Sequence, residues 1–137
     1  MTLVSARDVW REYSQGGVAA LAGVSVDIAA GEFVALLGRS GSGKSTLLNL
    51  LGGLDRPTRG SITVQGRDLA SMNARELSLY RRATVGFIFQ SFNLVPTLPA
   101  WENVALPLVF KGIGGAQRKR AALEMLDKVG LGARGHH

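Results

Sequence analysis

The chain has 137 residues, of which 46% are hydrophobic and 19% are charged. That length allows one domain of ordinary size, and that composition can bury a core, so a disordered or two-domain chain is excluded. The 18 glycines follow no Gly-X-Y period and there is no cysteine, which excludes collagen, disulfides and thiolate metal sites. The formal net charge of +6 lies mainly in the second half, and a solvated helix face explains it better than binding of nucleic acid.

No stretch of the chain has the pattern of a secretory signal or a membrane span. The first residues lack a basic head followed by an apolar run, which a signal peptide requires. The longest uncharged run, residues 83–101, contains Pro96 and Pro99 together with polar side chains, so it is a poor span. We therefore expect a soluble chain that reaches a membrane only through a partner.

The hydrophobic pattern predicts alternating strands and helices. Strands are expected over residues 3–13, 18–28, 33–37, 61–64 and 85–89, and helices over residues 44–52, 74–82, 101–106 and 116–129. Residues 33–37 are all apolar, which is typical of a parallel strand buried on both faces. A turn is expected at residues 14–17, Pro107 is expected to end the third helix, and Gly130 to cap the fourth. The buried helix faces are expected to be Leu47, Leu48, Leu50 and Leu51 in the first helix and Ala122, Leu123, Leu126 and Val129 in the last.

A glycine-rich segment follows residues 33–37 and satisfies the pattern G-x-x-x-x-G-K-[ST]. Its residues are Gly38, Arg39, Ser40, Gly41, Ser42, Gly43, Lys44, Ser45 and Thr46. Glycines let the backbone turn sharply and bring successive amide N–H groups close to phosphate oxygens. Lys44 opens a helix whose N-terminus favours anions, and its ammonium is expected to reach the β and γ phosphates. The Ser45 hydroxyl is a candidate ligand of Mg²⁺, so the segment predicts binding of a nucleoside triphosphate with Mg²⁺.

The residues on both sides of this loop resemble those of ABC-type ATPases. Residues 33–54 are similar to the Walker A region of that family, and residues 87–96 resemble its Q-loop in the wording typical of lipoprotein-releasing and macrolide-export transporters. The resemblance implies an α/β fold of the P-loop NTPase type, with an antiparallel β subdomain, a partial RecA-like core and the start of a helical subdomain. It divides the chain into residues 1–90, the β subdomain and Walker A core, and residues 91–137, the Q-loop and the start of the helical subdomain.

The resemblance also implies cofactors, partners and residue roles. ATP and Mg²⁺ are the implied cofactors. Tyr13 matches the aromatic residue that stacks on adenine, and Gln90 matches the glutamine that contacts Mg²⁺ and the attacking water. The implied partners are transmembrane permease subunits and a second ATP-binding subunit arranged head to tail, on the cytoplasmic face of the membrane. Phe92 and Trp101 are candidate contacts to the membrane partner.

Other motifs of the family are missing from the chain. No acidic residue directly follows an apolar strand, the Leu-Ser-Gly-Gly-Gln signature is absent, and the only histidines are the last two residues, His136 and His137. We therefore expect the N-terminal part of an ABC ATPase, which binds ATP with little or no turnover. The alternatives are a non-transport ABC-type ATPase, a small P-loop kinase with Arg118-Lys119-Arg120 as a weak lid candidate, and an inactive gene fragment.

Overall fold

The computed structural model describes residues 1–13, 18–91 and 93–137, and the chain divides into two units, Met1–Phe87 and Ile88–His137. The predicted turn at residues 14–17 and the candidate partner contact Phe92 lie outside the described residues. None of the helices in the described ranges has the length and hydrophobicity that a membrane span requires.

The first unit is built on a four-stranded antiparallel sheet with the strand order β2-β1-β3-β4. The strands are β1 (Thr2–Glu12), β2 (Ala19–Ala29), β3 (Arg59–Val64) and β4 (Arg67–Asp68). The three longer strands confirm the predictions at residues 3–13, 18–28 and 61–64. Ala6 of the central strand pairs with Val26 of β2 and with Ile62 of β3, and both Ala6 and Ile62 are fully buried. This row of apolar side chains forms one wall of the core.

A single hydrophobic cluster joins the sheet to two helices, α1 (Lys44–Leu51) and α2 (Ala74–Thr84). Its buried members are Ala6, Val9, Leu21, Leu47, Leu50, Ile62, Val64, Leu69, Met72, Leu77 and Tyr80. Leu47 and Leu50 are buried as predicted, but Leu48 is exposed. A helix with 3.6 residues per turn cannot direct every one of four closely spaced leucines to the same side.

Helix α2 holds the C-terminal end of α1 by two hydrogen bonds. The Tyr80 hydroxyl donates to the Leu51 carbonyl oxygen at 2.8 Å, and Arg81 donates to the Gly53 carbonyl oxygen at 2.6 Å. Carbonyl groups at a helix end have no intrahelical partner, so these side chains satisfy acceptors that would otherwise need water. The end of α1 is therefore fixed by α2 as well as by its own buried leucines.

Two apolar segments that were expected to be strands, residues 33–37 and 85–89, are not strands. Phe33, Leu37 and Ile88 are almost fully exposed, so the prediction of burial on both faces is also wrong. A strand needs a neighbouring strand to satisfy its backbone N–H and C=O groups. In the part of the chain that the structure describes, sheet pairing involves only β1 to β4.

The second unit contains two helices, α3 (Ala100–Phe110) and α4 (Gly115–Lys128), followed by a 3-10 turn at Gly132–Arg134. The prediction that Pro107 ends α3 is wrong, because this proline lies inside the helix. Its missing N–H removes one intrahelical hydrogen bond. The packing of α3 against α4, with Ala105 and Ala122 buried, outweighs that loss and keeps the last turn of α3 helical.

Gly130 caps α4 as predicted. It has a φ of +80°, and the next residue, Leu131, donates its N–H to the Leu126 carbonyl oxygen at 2.8 Å. This arrangement is a common way for a helix to end at glycine. Val129 was expected on the buried face, but it is exposed, because the helix already ends at Lys128.

Candidate functional site

The glycine loop precedes α1 and is exposed over residues 38–42. Gly41 has a φ of +80° and Gly43 a φ of +97°. Such left-handed conformations cost other L-residues about 1–2 kcal/mol. The Ser42 N–H donates to the Arg39 carbonyl oxygen at 3.1 Å, which closes a tight turn between these residues. Glycines thus stand where the backbone of the loop requires them.

The N-terminus of α1 provides backbone donors that have no partner within the helix. Gly43 is the N-cap, and no side chain in the described residues caps this helix. The first intrahelical hydrogen bond runs from the Leu47 N–H to the Gly43 carbonyl oxygen at 2.9 Å. The amides of Lys44, Ser45 and Thr46 therefore have no intrahelical acceptor. Because the first turn, which is fully described, contains no acidic side chain, the positive end of the helix dipole is available to an anion such as phosphate.

Lys44 places a cation inside the loop. Its ammonium donates to the carbonyl oxygen of Gly38, the first residue of the motif. The side chain thus folds back across the loop to its beginning. An ammonium group has three N–H donors, so two remain for phosphate oxygens while the contact to Gly38 is kept.

The N-terminus of α1 packs against the end of the β1–β2 hairpin. A Cβ placed on Gly43 would lie 2.6 Å from the carbonyl oxygen of Ala20, so only glycine allows this approach of the two backbones. Ala19, the neighbour of Ala20, pairs with Glu12 at the end of β1. Tyr13 is the next residue after Glu12. Strand pairing therefore brings Tyr13 to the same end of the first unit as the glycine loop.

The guanidinium of Arg11 lies over the ring of Tyr13, with its carbon 4.7 Å from the ring centroid. The exposed fraction of Tyr13 is 46%. Arg11 Nε also donates to Asp55 Oδ2 at 2.9 Å. Neither Arg11 nor Asp55 was among the residues that the sequence singled out. The signal available for Arg11 was the period of two along a strand, which places residues 11 and 13 on one face.

Gln90 belongs to the second unit, where it is exposed in the irregular segment before α3. Its role at Mg²⁺ stays a prediction. Among residues 1–13, 18–91 and 93–137, no three acidic or histidine side chains cluster as a metal-binding group. The exposed Ser45 in the first turn of α1 fits a metal ion that is held mainly by phosphate oxygens and water.

A glycine loop that opens a helix, with its lysine inside the loop, is typical of the P-loop NTPase class. Residues 21–137 match the profile of the ABC transporter family. The chain therefore belongs to the ABC transporter family. It is 50% identical over 132 residues to an uncharacterized ABC transporter ATP-binding protein of Thermotoga maritima, covering 95% of this chain and 56% of that protein. It is 48% identical to the macrolide export ATP-binding/permease protein MacB of Hyphomonas neptunium, covering 98% of this chain and 21% of that protein.

A solved structure shows the same fold. The ATP-binding cassette MJ0796, as a dimer in a post-hydrolysis state bound to ADP and Pi, superposes with a TM-score of 0.90 and 41% identity. The match covers 98% of this chain and 60% of that chain. It confirms the predicted fold class, an α/β P-loop ATPase of the ABC type. The chain thus spans only part of the length of each of these relatives.

Proposed function

We propose that this chain is the ATP-binding part of an ABC transporter and that it binds Mg-ATP at residues 38–46, with the adenine on Tyr13. One observation carries the proposal: the N-terminus of α1 packs on the hairpin end that bears Tyr13, with the Gly43 Cβ position 2.6 Å from the Ala20 carbonyl oxygen. An anion site and an exposed aromatic ring thereby lie at one end of one unit. A nucleotide has the matching pair of features, a polyphosphate and an aromatic base.

Each part of the nucleotide has proposed partners in the chain. The amides of Lys44, Ser45 and Thr46 and the ammonium of Lys44 bind the β and γ phosphates. The Ser45 hydroxyl is a ligand of the Mg²⁺ that bridges those phosphates. Stacking of adenine on Tyr13 contributes about 1–3 kcal/mol, the value measured for bases on aromatic side chains. Gln90 supports Mg²⁺ and the attacking water, as the family resemblance implies.

The transport role extends this proposal to partners. Transmembrane permease subunits bind the chain on the cytoplasmic face of a membrane, and ATP binding and hydrolysis drive export or lipoprotein release. The similarity to a protein described as macrolide export ATP-binding/permease supports the permease partner. The dimeric state of the cassette MJ0796 supports a second ATP-binding subunit.

Binding and turnover are separate in this proposal. The 137-residue chain by itself binds Mg-ATP with little or no hydrolysis. Hydrolysis needs a group that orients the attacking water. Asp55 is engaged by Arg11 at 2.9 Å, and Glu102 and Asp127 lie within the helices α3 and α4. Robust phosphate release by this chain that depends on Lys44 would contradict the proposal.

The test is calorimetric titration with Mg-ATP. Hydrogen bonds to charged groups are worth about 1.5–3 kcal/mol, so Lys44→Ala is expected to weaken binding about 10-fold to 100-fold. Lys128→Ala is the matched control, because it removes the same charge from an exposed position in the last turn of α4. Equal affinities of the two variants, or no binding by the unsubstituted protein, would refute the proposed function.

A further inference from the structure

We infer that Arg11 is a positioning residue for the ring of Tyr13 and that Asp55 holds Arg11 in place. The inference rests on the proposed function, because it assumes that Tyr13 receives the adenine. Arg11 itself need not touch the nucleotide. It fixes one face of the ring so that the rest of the ring surface is presented to the base.

The contact between Arg11 and Tyr13 has the geometry of a cation–π interaction. The guanidinium carbon lies 4.7 Å from the ring centroid, within the distance of about 6 Å at which such contacts are attractive. A planar guanidinium covers a single face of a phenol ring. Since 46% of the Tyr13 surface remains exposed, ring surface is left for a base to stack on.

Asp55 determines where Arg11 lies. Its Oδ2 accepts from Arg11 Nε at 2.9 Å, and its Oδ1 accepts from the N–H of Arg56 at 2.8 Å. Both carboxylate oxygens are thus engaged, which holds the carboxylate in one orientation. The exposed side-chain fractions of Arg11 and Asp55 are only 25% and 34%, so solvent and salt screen this pair less than a fully exposed one.

The pair also links the segment after α1 to β1. Asp55 follows α1 by four residues, since the helix ends at Leu51, and α1 begins at the phosphate-binding loop. Asp55 therefore ties the chain beyond that helix to the strand that ends beside Tyr13. A ring held in place before binding loses less conformational freedom when the base stacks, which favours affinity.

The chain contains a matched arginine that makes the same kind of contact elsewhere. Arg59 lies over the ring of Trp10 at 4.3 Å and forms an ion pair with Glu12 at 3.1 Å. It therefore combines a cation–π contact with a carboxylate partner, as Arg11 does, but it lies over a different ring. Arg59→Ala is the control for a general loss of charge or stability at this sheet.

The experiment compares two ligands that share the polyphosphate and differ in the adenosine, which only ATP carries. Calorimetry with Mg-ATP and with magnesium tripolyphosphate is performed on the unsubstituted protein and on the variants Arg11→Ala, Arg11→Lys, Asp55→Asn and Arg59→Ala. Arg11→Ala is expected to weaken ATP about threefold to tenfold and to leave tripolyphosphate unchanged. Asp55→Asn should weaken ATP in the same selective way, Arg11→Lys should recover part of the loss, and Arg59→Ala should affect neither ligand.

Three results would overturn the inference. They are an equal loss of both ligands in Arg11→Ala, unchanged ATP affinity in both Arg11→Ala and Asp55→Asn, and tighter ATP binding, which would mean that Arg11 covers the adenine face. If Arg11→Ala does not fold, Asp55→Asn and Arg11→Lys decide the question by the same comparison. If the unsubstituted protein binds neither ligand, the proposed function fails and this inference fails with it. If the unsubstituted protein binds ATP and the variants do not behave as expected, the proposed function is retained and only this inference fails.

Discussion

Replacement of Gly43 by alanine tests whether the approach of α1 to the hairpin requires glycine. Two effects add in this variant. An L-residue at a φ of +97° costs about 1–2 kcal/mol. The new Cβ would also lie 2.6 Å from the Ala20 carbonyl oxygen and 2.9 Å from Leu21 Cδ2, and such overpacking costs about 1–3 kcal/mol. We therefore expect Gly43→Ala to lower the free energy of unfolding by about 2–5 kcal/mol.

Two other glycines separate the two effects. Gly66 has a φ of +76° and Gly41 a φ of +80°, and a Cβ on either would meet no described atom within 4 Å. In Gly66→Ala and Gly41→Ala, the free energy of unfolding should therefore fall only by the cost of the left-handed backbone, about 1–2 kcal/mol. Equilibrium urea unfolding, followed by far-UV circular dichroism, measures all three variants. Equal losses in Gly43→Ala and Gly66→Ala would refute the conclusion that the backbone contact at Ala20 requires glycine.

Two further predictions concern the core that supports the loop. Leu50→Ala should lower the free energy of unfolding by about 2–5 kcal/mol, because Leu50 is 1% exposed. Leu48 is 52% exposed on the same helix and should tolerate alanine. Urea unfolding of both variants checks this, and similar losses would contradict the burial pattern. Burial raises the pKa of Tyr80 above its usual 10.0, so its stabilising hydrogen bond to Leu51 is present below pH about 10 and is lost as the pH rises through the folded-state pKa. Tyr80→Phe should therefore cost about 1 kcal/mol at neutral pH, and urea unfolding across the pH range should show this difference shrinking above pH 10; a constant difference would contradict it.

The conformation of the glycine loop could be predicted from the sequence because it is set residue by residue. Gly41 and Gly43 adopt positive φ values that few other residues tolerate, and the helix begins at Lys44 as the motif requires. The contact of Arg11 with Asp55 joins residues 44 positions apart. No local sequence rule relates such positions, so this contact could be found only in the folded structure.

The failed strand predictions have a different cause. An apolar run such as residues 33–37 shows what its side chains prefer, but a strand also requires a partner for its backbone. In the described residues that partner is not supplied, and Phe33 and Leu37 are exposed. Pro107 is the reverse case. Its local preference to end a helix is overridden by packing that the sequence pattern does not report.

The two ends of the proposed ATP site are held by different forces, and this has a consequence for how affinity responds to change. The phosphate end depends on the backbone geometry of the loop and on the ammonium of Lys44, so it is sensitive to a Cβ at Gly43 and to Lys44→Ala but not to loss of Arg11. The base end depends on the side chains of Arg11 and Asp55, so it is sensitive to charge removal and, through a partly exposed ion pair, to added salt. Tripolyphosphate uses only the phosphate end, whereas ATP uses both ends. The affinity for ATP divided by the affinity for tripolyphosphate therefore isolates the contribution of the adenosine. This ratio should fall in Arg11→Ala, whereas Gly43→Ala should weaken both ligands together.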